Sequence, residues 1–416
     1  MQASIFDQLE SNVRSYCRTF PFVFERATGS RMASEDGREF IDFFAGAGAL
    51  NYGHNNRYIK AAVLDYLSED RPLHMLDMHT VAKREFLLAF QREVLLPGGH
   101  DYKVQFTGPT GTNAVEAALK IARRTTGKRS IWAFRGGYHG MSLGSLAITA
   151  NAEARAAAGV SLGDAVFHPF PNEDDDWQEN LSRLAAVMED GHSGLDRPAA
   201  MIIETVQAEG GVNPAPLGWL SGLSELCRRH EVLLIVDDVQ VGCYRTGTFF
   251  SFTHAGITPD IVVLSKSIGG IGLPMALVLM RPEIDCLKPG DHTGTFRGNQ
   301  LAFVAGRAAL EFARDHDMRA MVAAREAQLR SGFADLLQGR AGIPRMRGRG
   351  LIWGIDFATA GGSDRAAQVA RECVRQGLII ERAGRQDTVL KILPALTIDE
   401  GDFAAGLTII RNAMKS

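Results

Sequence analysis

Apolar runs of strand length recur through the middle of the chain, at residues 104–106, 131–134, 200–203, 233–236, 261–264 and 276–280. Helix-patterned amphipathic stretches separate most of them. Runs apolar on both faces, with helices between them, belong to a mainly parallel sheet covered on both sides, so the expected fold class is α/β. A helix is expected after Asn113, whose side chain can cap it with Glu116 three residues on; Ala114, Val115, Ala118, Leu119 and Ala122 then share one apolar face. Another is expected over residues 217–230.

The pattern changes after Gly298. A long helical stretch (301–337) precedes short strands near 351–357, 378–381 and 389–393, which reads as a smaller α+β domain. Residues 32–44 alternate like a hairpin with Asp36-Gly37 at its turn, and they are expected to pack with this C-terminal part. The chain therefore divides into an N-terminal segment joining the small domain (1–50), a large domain holding the mainly parallel sheet (51–300), and a small C-terminal domain (301–416). Stretches 171–176 and 191–197 read as surface connections.

Composition mainly removes options. The 416 residues carry 45 basic and 48 acidic side chains, a formal charge of −3, dispersed along the chain. That leaves no electrostatic footprint for nucleic acid or an anionic membrane. The apolar runs are far too short to span a bilayer. Residues 1–10 hold acidic side chains and no apolar core behind a basic start, unlike a secretory signal, so a cytoplasmic protein is expected. Cys17, Cys227, Cys243, Cys286 and Cys373 are odd in number and lack a CxxC spacing, which suits reduced thiols rather than a disulfide framework or a zinc site.

Candidate chemistry begins at Lys266, which follows the run ending at Leu264 and precedes Ser267-Ile-Gly-Gly270. The carboxyl ends of parallel strands are where such sheets bind ligands, although a lysine leaving a strand is most often a solvated surface residue. Asp237 ends another apolar run, where an unpaired carboxylate would be costly. A pyridinium nitrogen would answer it, because an opposing aspartate keeps such a ring protonated and electron-withdrawing; a loop-capping aspartate is the plainer alternative. Asp238 reads equally well as a hydrogen-bonded structural acid. Gly108-Pro-Thr-Gly111-Thr112-Asn113 stands before the expected helix, where free amides and the dipole favour a phosphate, although an ordinary N-cap loop looks the same. Tyr138-His139-Gly140, after the 131–134 run, offers an aromatic face at the same end of the sheet.

The segment Leu234-Ile-Val-Asp237-Asp238-Val-Gln240-Val-Gly242-Cys-Tyr-Arg245-Thr246-Gly247, followed by Pro259-Asp260-Ile261-Val-Val-Leu-Ser265-Lys266, resembles the signature of the class III (ornithine/4-aminobutyrate-type) aminotransferases. Gln207-Ala-Glu-Gly-Gly211 and Thr295-Phe-Arg-Gly-Asn299 extend the likeness. The resemblance implies the pyridoxal-5′-phosphate-dependent transferase fold type I, aspartate aminotransferase-like, and pyridoxal 5′-phosphate held as a Schiff base on Lys266, which also shuttles a proton. It implies that Asp237 pairs with the pyridine nitrogen, that Val239 and Tyr138, with its neighbour His139, face the ring, and that Gln240 lies near the ring hydroxyl. Gly111 and Thr112 would seat the phosphate. Thr295 would complete that seat in the neighbouring subunit, giving a homodimer with shared active sites; pairing of dimers into tetramers stays open.

Within the family, stretches such as Val13-Arg-Ser-Tyr-Cys-Arg-Thr-Phe20 and Phe43-Phe-Ala-Gly-Ala-Gly-Ala-Leu-Asn-Tyr-Gly-His54 resemble the diaminobutyrate-forming subgroup of ectoine and some siderophore pathways. This implies exchange of an amino group between L-glutamate and L-aspartate 4-semialdehyde, giving L-2,4-diaminobutyrate and 2-oxoglutarate. Two substrates of different length need a switchable charge. In relatives, a glutamate matching Glu209 pairs with a C-terminal arginine and releases it when glutamate binds. Here Lys391 stands at the matching position, and lysine cannot make the planar bidentate grip of arginine. An exposed strand lysine is as good a reading of it, and Arg297 is a further candidate for a substrate carboxylate. Asp238 stands where most of the family has glutamate, which would shorten a side chain beside the ring, and Arg71-Pro-Leu-His74-Met75 departs from the subgroup pattern. An ω-aminotransferase for ornithine, 4-aminobutyrate or a natural-product intermediate is the alternative. More distant is a metal-dependent hydrolase using Asp237-Asp238 with His54, His74 or His139.

Overall fold

A computed structural model describes residues 4–173, 175–337 and 342–416. Residues 1–3, and Asp174 inside the expected 171–176 connection, lie outside the described residues. All six anticipated runs enter one seven-stranded sheet, in the spatial order Lys103–Phe106, Leu277–Met280, Ile261–Leu264, Leu233–Asp237, Ala200–Ile203, Ile131–Phe134, Ala165–His168. Leu277–Met280 runs antiparallel to both of its neighbours, and the rest run one way. The seventh strand, Ala165–His168, was not anticipated. It sits at the sheet edge with three of its four residues only half-buried, so its apolar signal is weak.

The sheet is covered on both faces, as uniformly apolar strands require. One face packs Phe86, Phe90, Trp132, Phe134 and Trp219. The other receives the Gly111–Thr126 helix, which buries Ala114, Val115, Ala118, Leu119 and Ala122 against Ile131, Ile202, Ile235 and Val263. That helix starts earlier than its apolar face suggested. Thr110 caps it by accepting from the Asn113 amide, while Asn113 Oδ1 turns back to accept from Gly108 N at 2.7 Å. Glu116 closes no capping box; its carboxylate accepts from Gly144 N at 2.9 Å and so pins the following loop. The Leu217–Arg229 helix lies where its pattern put it.

The long helix expected over 301–337 is two, Gln300–Asp315 and Met318–Gly332. Asp317 between them takes a left-handed φ of 45°, and its side chain caps the second helix at Ala320 N. A capping aspartate competes with helix continuation, a local signal that the apolar periodicity hides. The hairpin is present as Arg31–Ser34 and Glu39–Asp42, and it is extended by Leu378–Ile379 running parallel to it, so the chain start shares a sheet with the C-terminal part. The strand anticipated at 378–381 splits at Ile380: Glu381–Ala383 moves to a separate sheet beside Val389–Ile392, whose other neighbour is Ile352–Asp356. Among the described residues, no helix is long and apolar enough to cross a membrane.

Candidate active site

Three adjacent strands end at one rim of the large sheet. Ala200–Ile203 delivers Glu204, Leu233–Asp237 delivers Asp237, and Ile261–Leu264 delivers Lys266 two residues on. Lys266 has a positive φ of 53°, a sparsely populated state for a side-chain-bearing residue, which the turn Lys266–Gly269 holds in place. These residues border a cavity of about 270 Å3 that is also lined by Gly111, Thr112, Tyr138, His139, Ala208, Glu209, Val239 and Gln240. A larger hollow of about 660 Å3 lies elsewhere, over residues such as Leu87, Leu88 and Leu95. Chemistry rather than volume marks the smaller one.

Asp237 is buried, yet it is not left alone. His139 Nδ1 lies 2.8 Å from its Oδ2, and Val239 N donates to Oδ1 at 3.1 Å. Burial alone would depress His139, but the hydrogen bond and charge of Asp237 outweigh it and hold the imidazole above its ordinary pKa. His139 thus lines the cavity as the hydrogen-bond partner of Asp237, beside Tyr138. Glu204, which sequence reasoning missed, accepts from the Tyr138 and Ala208 amides at 2.9 and 3.0 Å. Burial pushes its carboxyl up to about 7. Its signal was available, since it follows an apolar run just as Asp237 ends one.

Asp238 corrects a second expectation. Its carboxylate points to Ser251, accepting from that residue's amide and hydroxyl, and it does not line the cavity. The departure from glutamate therefore shortens a structural contact instead of a side chain beside the ring.

Burial lowers Lys266 to about 8, with Glu209 opposing and Lys391 assisting, so its amine loses its proton more readily than a solvated lysine and is better suited to act as a nucleophile. Beyond it, Lys391 is fully buried rather than exposed. Its Nζ lies 2.7 Å from Glu209 Oε1, 2.8 Å from Glu381 Oε1 and 3.3 Å from Gln240 Oε1. Burial raises Glu209, but Lys391 and Lys266 outweigh it and leave the carboxyl well below the usual range. Glu381 is raised, because burial and the charge of Glu209 outweigh Lys391. Glu381 escaped the sequence reading, since its place opposite Lys391 depends on the strand split at Ile380. Tyr16, from the first residues of the chain and 53% exposed, also feels this cluster; partial burial of its ring and the charges of Glu381 and Glu209 push its hydroxyl up to about 12.

The cavity's donor set suits a phosphorylated heteroaromatic aldehyde. Gly111 and Thr112, at the start of the Gly111–Thr126 helix where amides lack intrahelical partners, line the cavity, and glycine keeps this spot clear, since a Cβ on Gly111 would lie 3.0 Å from Val239 Cγ1. A side chain at Gly140 would strike Thr112 Oγ1 at 2.4 Å. The amine of Lys266 and the buried carboxylate of Asp237 border the same space.

Two predicted residues lie elsewhere. Thr295 is exposed, its carbonyl 2.8 Å from His74 Nε2, and Arg297 is paired with Asp77 and bonded to the His292 carbonyl. Neither lines the Lys266 cavity of its own chain. The histidines considered as metal ligands are dispersed, with His54 on Asp42, His74 on Thr295 and His139 on Asp237. No group of three such side chains among the described residues is arranged to hold a metal.

Residues 13–414 match the profile of the family Aminotransferase class-III. The chain is 51% identical over 415 residues to a diaminobutyrate–2-oxoglutarate transaminase of Streptomyces coelicolor, covering 99% of this chain and 97% of that one. It is 52% identical over 413 residues to the enzyme of the same name from Bordetella parapertussis, covering 99% and 94%. The ornithine aminotransferase of Toxoplasma gondii, solved with partial occupancy of PLP at its active site, superposes with a TM-score of 0.83 at 26% identity, over 99% of this chain and 92% of that one. The chain belongs to the class III aminotransferases.

Proposed function

We propose that this aminotransferase moves an amino group between L-glutamate and the terminal aldehyde of L-aspartate 4-semialdehyde, giving L-2,4-diaminobutyrate and 2-oxoglutarate, with pyridoxal 5′-phosphate as cofactor. The observation that carries the substrate is identity near one half, over nearly the whole chain, to relatives named for that reaction. When bound, the cofactor supplies an electron sink for the charge that develops as a substrate C–H bond breaks.

The chain's own residues supply the rest of the reading. Lys266 would hold the cofactor through its amine, and the same amine would carry the proton to and from the reacting carbon. Asp237 would answer the pyridine nitrogen, and His139 and the Val239 amide fix that carboxylate. Val239 and Tyr138 would hold the ring, and Gln240 would serve its hydroxyl. Gly111 and Thr112 receive the phosphate at the helix start. Glu209 covers Lys391 in one half-reaction and gives way to a substrate carboxylate in the other. Thr295 completes the phosphate seat of a second copy, a reading supported by its exposure away from its own cavity. Arg297, on the same loop, serves a substrate carboxylate from that side. In this reading the protein is a cytoplasmic homodimer, divided at about residues 51 and 300.

The test follows the visible absorbance of the cofactor–lysine linkage while L-2,4-diaminobutyrate, ornithine, 4-aminobutyrate or glutamate is added separately. Bleaching by diaminobutyrate and by glutamate alone, restored by 2-oxoglutarate, is expected. A stronger response to ornithine or 4-aminobutyrate would replace the substrate and keep the transamination.

A further inference from the structure

Lys391 lies in the middle of three antiparallel strands. Gly354 stands opposite it on one side and contributes no side chain; Glu381 stands opposite it on the other. Directly opposed residues keep their Cβ atoms within about 5.5 Å, so the backbone register itself ties Glu381 to Lys391. Glu209 is held differently. It reaches the ammonium from the turn after the Val206–Gln207 strand, its side chain is 30% exposed, and it lines the Lys266 cavity. The Glu381 side chain is 9% exposed and does not line that cavity. The two carboxylates on one lysine are therefore unequal: one borders the space a substrate fills, and the other lies behind.

We propose that Glu381 is the resident counter-ion of Lys391, keeping the ammonium charged and in place while Glu209 yields its position to a carboxylate of the incoming substrate. The proposal rests on the transaminase reading above and adds a positioning residue to it. A fully buried lysine whose sole counter-ion departs sheds its proton rather than remain an unpaired charge. An arginine would keep its charge unaided, so a lysine at this position needs a second acid. Glu381 Oε1 lies 2.8 Å from the ammonium, a direct ionic contact. The charged and titratable groups facing Lys391 are Glu209, Glu381, Lys266 and Tyr16. Burial pulls Lys391 down, and Glu209 and Glu381 together hold it above its ordinary value, so removal of either acid lowers it.

The test is calorimetric binding of glutarate, a five-carbon dicarboxylate without an amine, to the holoenzyme at pH 7 and pH 9. Wild type should bind with an affinity that changes by less than about threefold between the two, whereas Glu381→Gln should weaken by at least about tenfold at the higher pH. Adding Lys391→Arg to Glu381→Gln should restore pH-independent binding, because a guanidinium keeps its proton. Should Glu381→Gln fail to retain the cofactor, Glu381→Asp should show a smaller loss of the same direction. Glutarate binding by Glu381→Gln that matches wild type at both pH values overturns the proposal. So does a pH-dependent loss that arginine does not repair, or wild type that binds no glutarate. Failure of diaminobutyrate and glutamate to bleach the wild-type absorbance would instead sink the substrate reading, and the glutarate titrations would still decide the role of Glu381.

Discussion

The two ionic clusters that flank Lys266 use the same ingredients and are built differently. His139 and Asp237 rise from neighbouring parts of the large sheet's rim, their side chains are 1% and 6% exposed, and backbone or hydroxyl groups pin both: Val239 N holds Asp237, and the His139 amide donates to Thr149 Oγ1. Glu209, Lys391 and Glu381 come from a turn and two strands of the C-terminal sheet, and Glu209 is left at the cavity wall with 30% of its side chain exposed. In both, a buried basic side chain meets a carboxylate. Depth and attachment differ, and in the proposed reading these decide which pair stays fixed and which exchanges a partner.

Replacing members of each cluster should separate a fixed charge from an exchangeable one. Asp237→Asn should cost the most, about 10^3-fold in kcat with every amino donor alike, because a preorganised charge aimed at the reacting system is lost whatever the substrate. A loss confined to one donor would place Asp237 among the substrate contacts. His139→Gln should lower kcat by roughly 10–100-fold, the worth of one charge-assisted hydrogen bond. It also has a pH signature. The folded pKa of His139 is raised, so the stability it contributes is complete below 6.5 and is lost as pH rises through the folded value. The melting temperature gap between wild type and His139→Gln should accordingly narrow from pH 6 to pH 9.

Glu209→Gln should act on one half-reaction only, lowering the KM for glutamate by about tenfold because the substrate carboxylate no longer displaces a charged rival. Equal effects on glutamate and diaminobutyrate would erase the contrast between the clusters. Asp238→Asn is the mildest case, with kcat within about threefold of wild type, since Ser251 is its partner and the cavity is not. Burial raises Asp238 from 3.8 to about 7, so its contribution to stability is complete below 3.8 and is lost as pH rises through about 7. The asparagine variant should therefore gain melting temperature relative to wild type between pH 6 and pH 8.

Adjacent residues show how far the sequence could be read. Asp237 and Asp238 are indistinguishable as residue types at the end of one apolar run, yet strand alternation sends one to the cavity and the other to Ser251. Family likeness to the signature through Lys266 pointed to Asp237, where composition could not choose between them. The core strands were legible because each is apolar along its whole length; Ala165–His168, at the edge and half-buried, was not. The helix starts at 111 and 318 were blurred because capping side chains at Thr110 and Asp317 act through single hydrogen bonds that periodicity does not register.

By itself the sequence determined the alternating strands and helices, the lysine and aspartate at neighbouring strand ends, and the family, because each rests on local pattern or on contiguous motifs. The tertiary structure alone decided that His139 backs Asp237, that Glu204 joins the rim, and that Lys391 is buried between Glu209 and Glu381. Those pairings join residues 98, 182 and 10 positions apart in the chain, and they depend on register, strand splitting and burial, which no local pattern encodes.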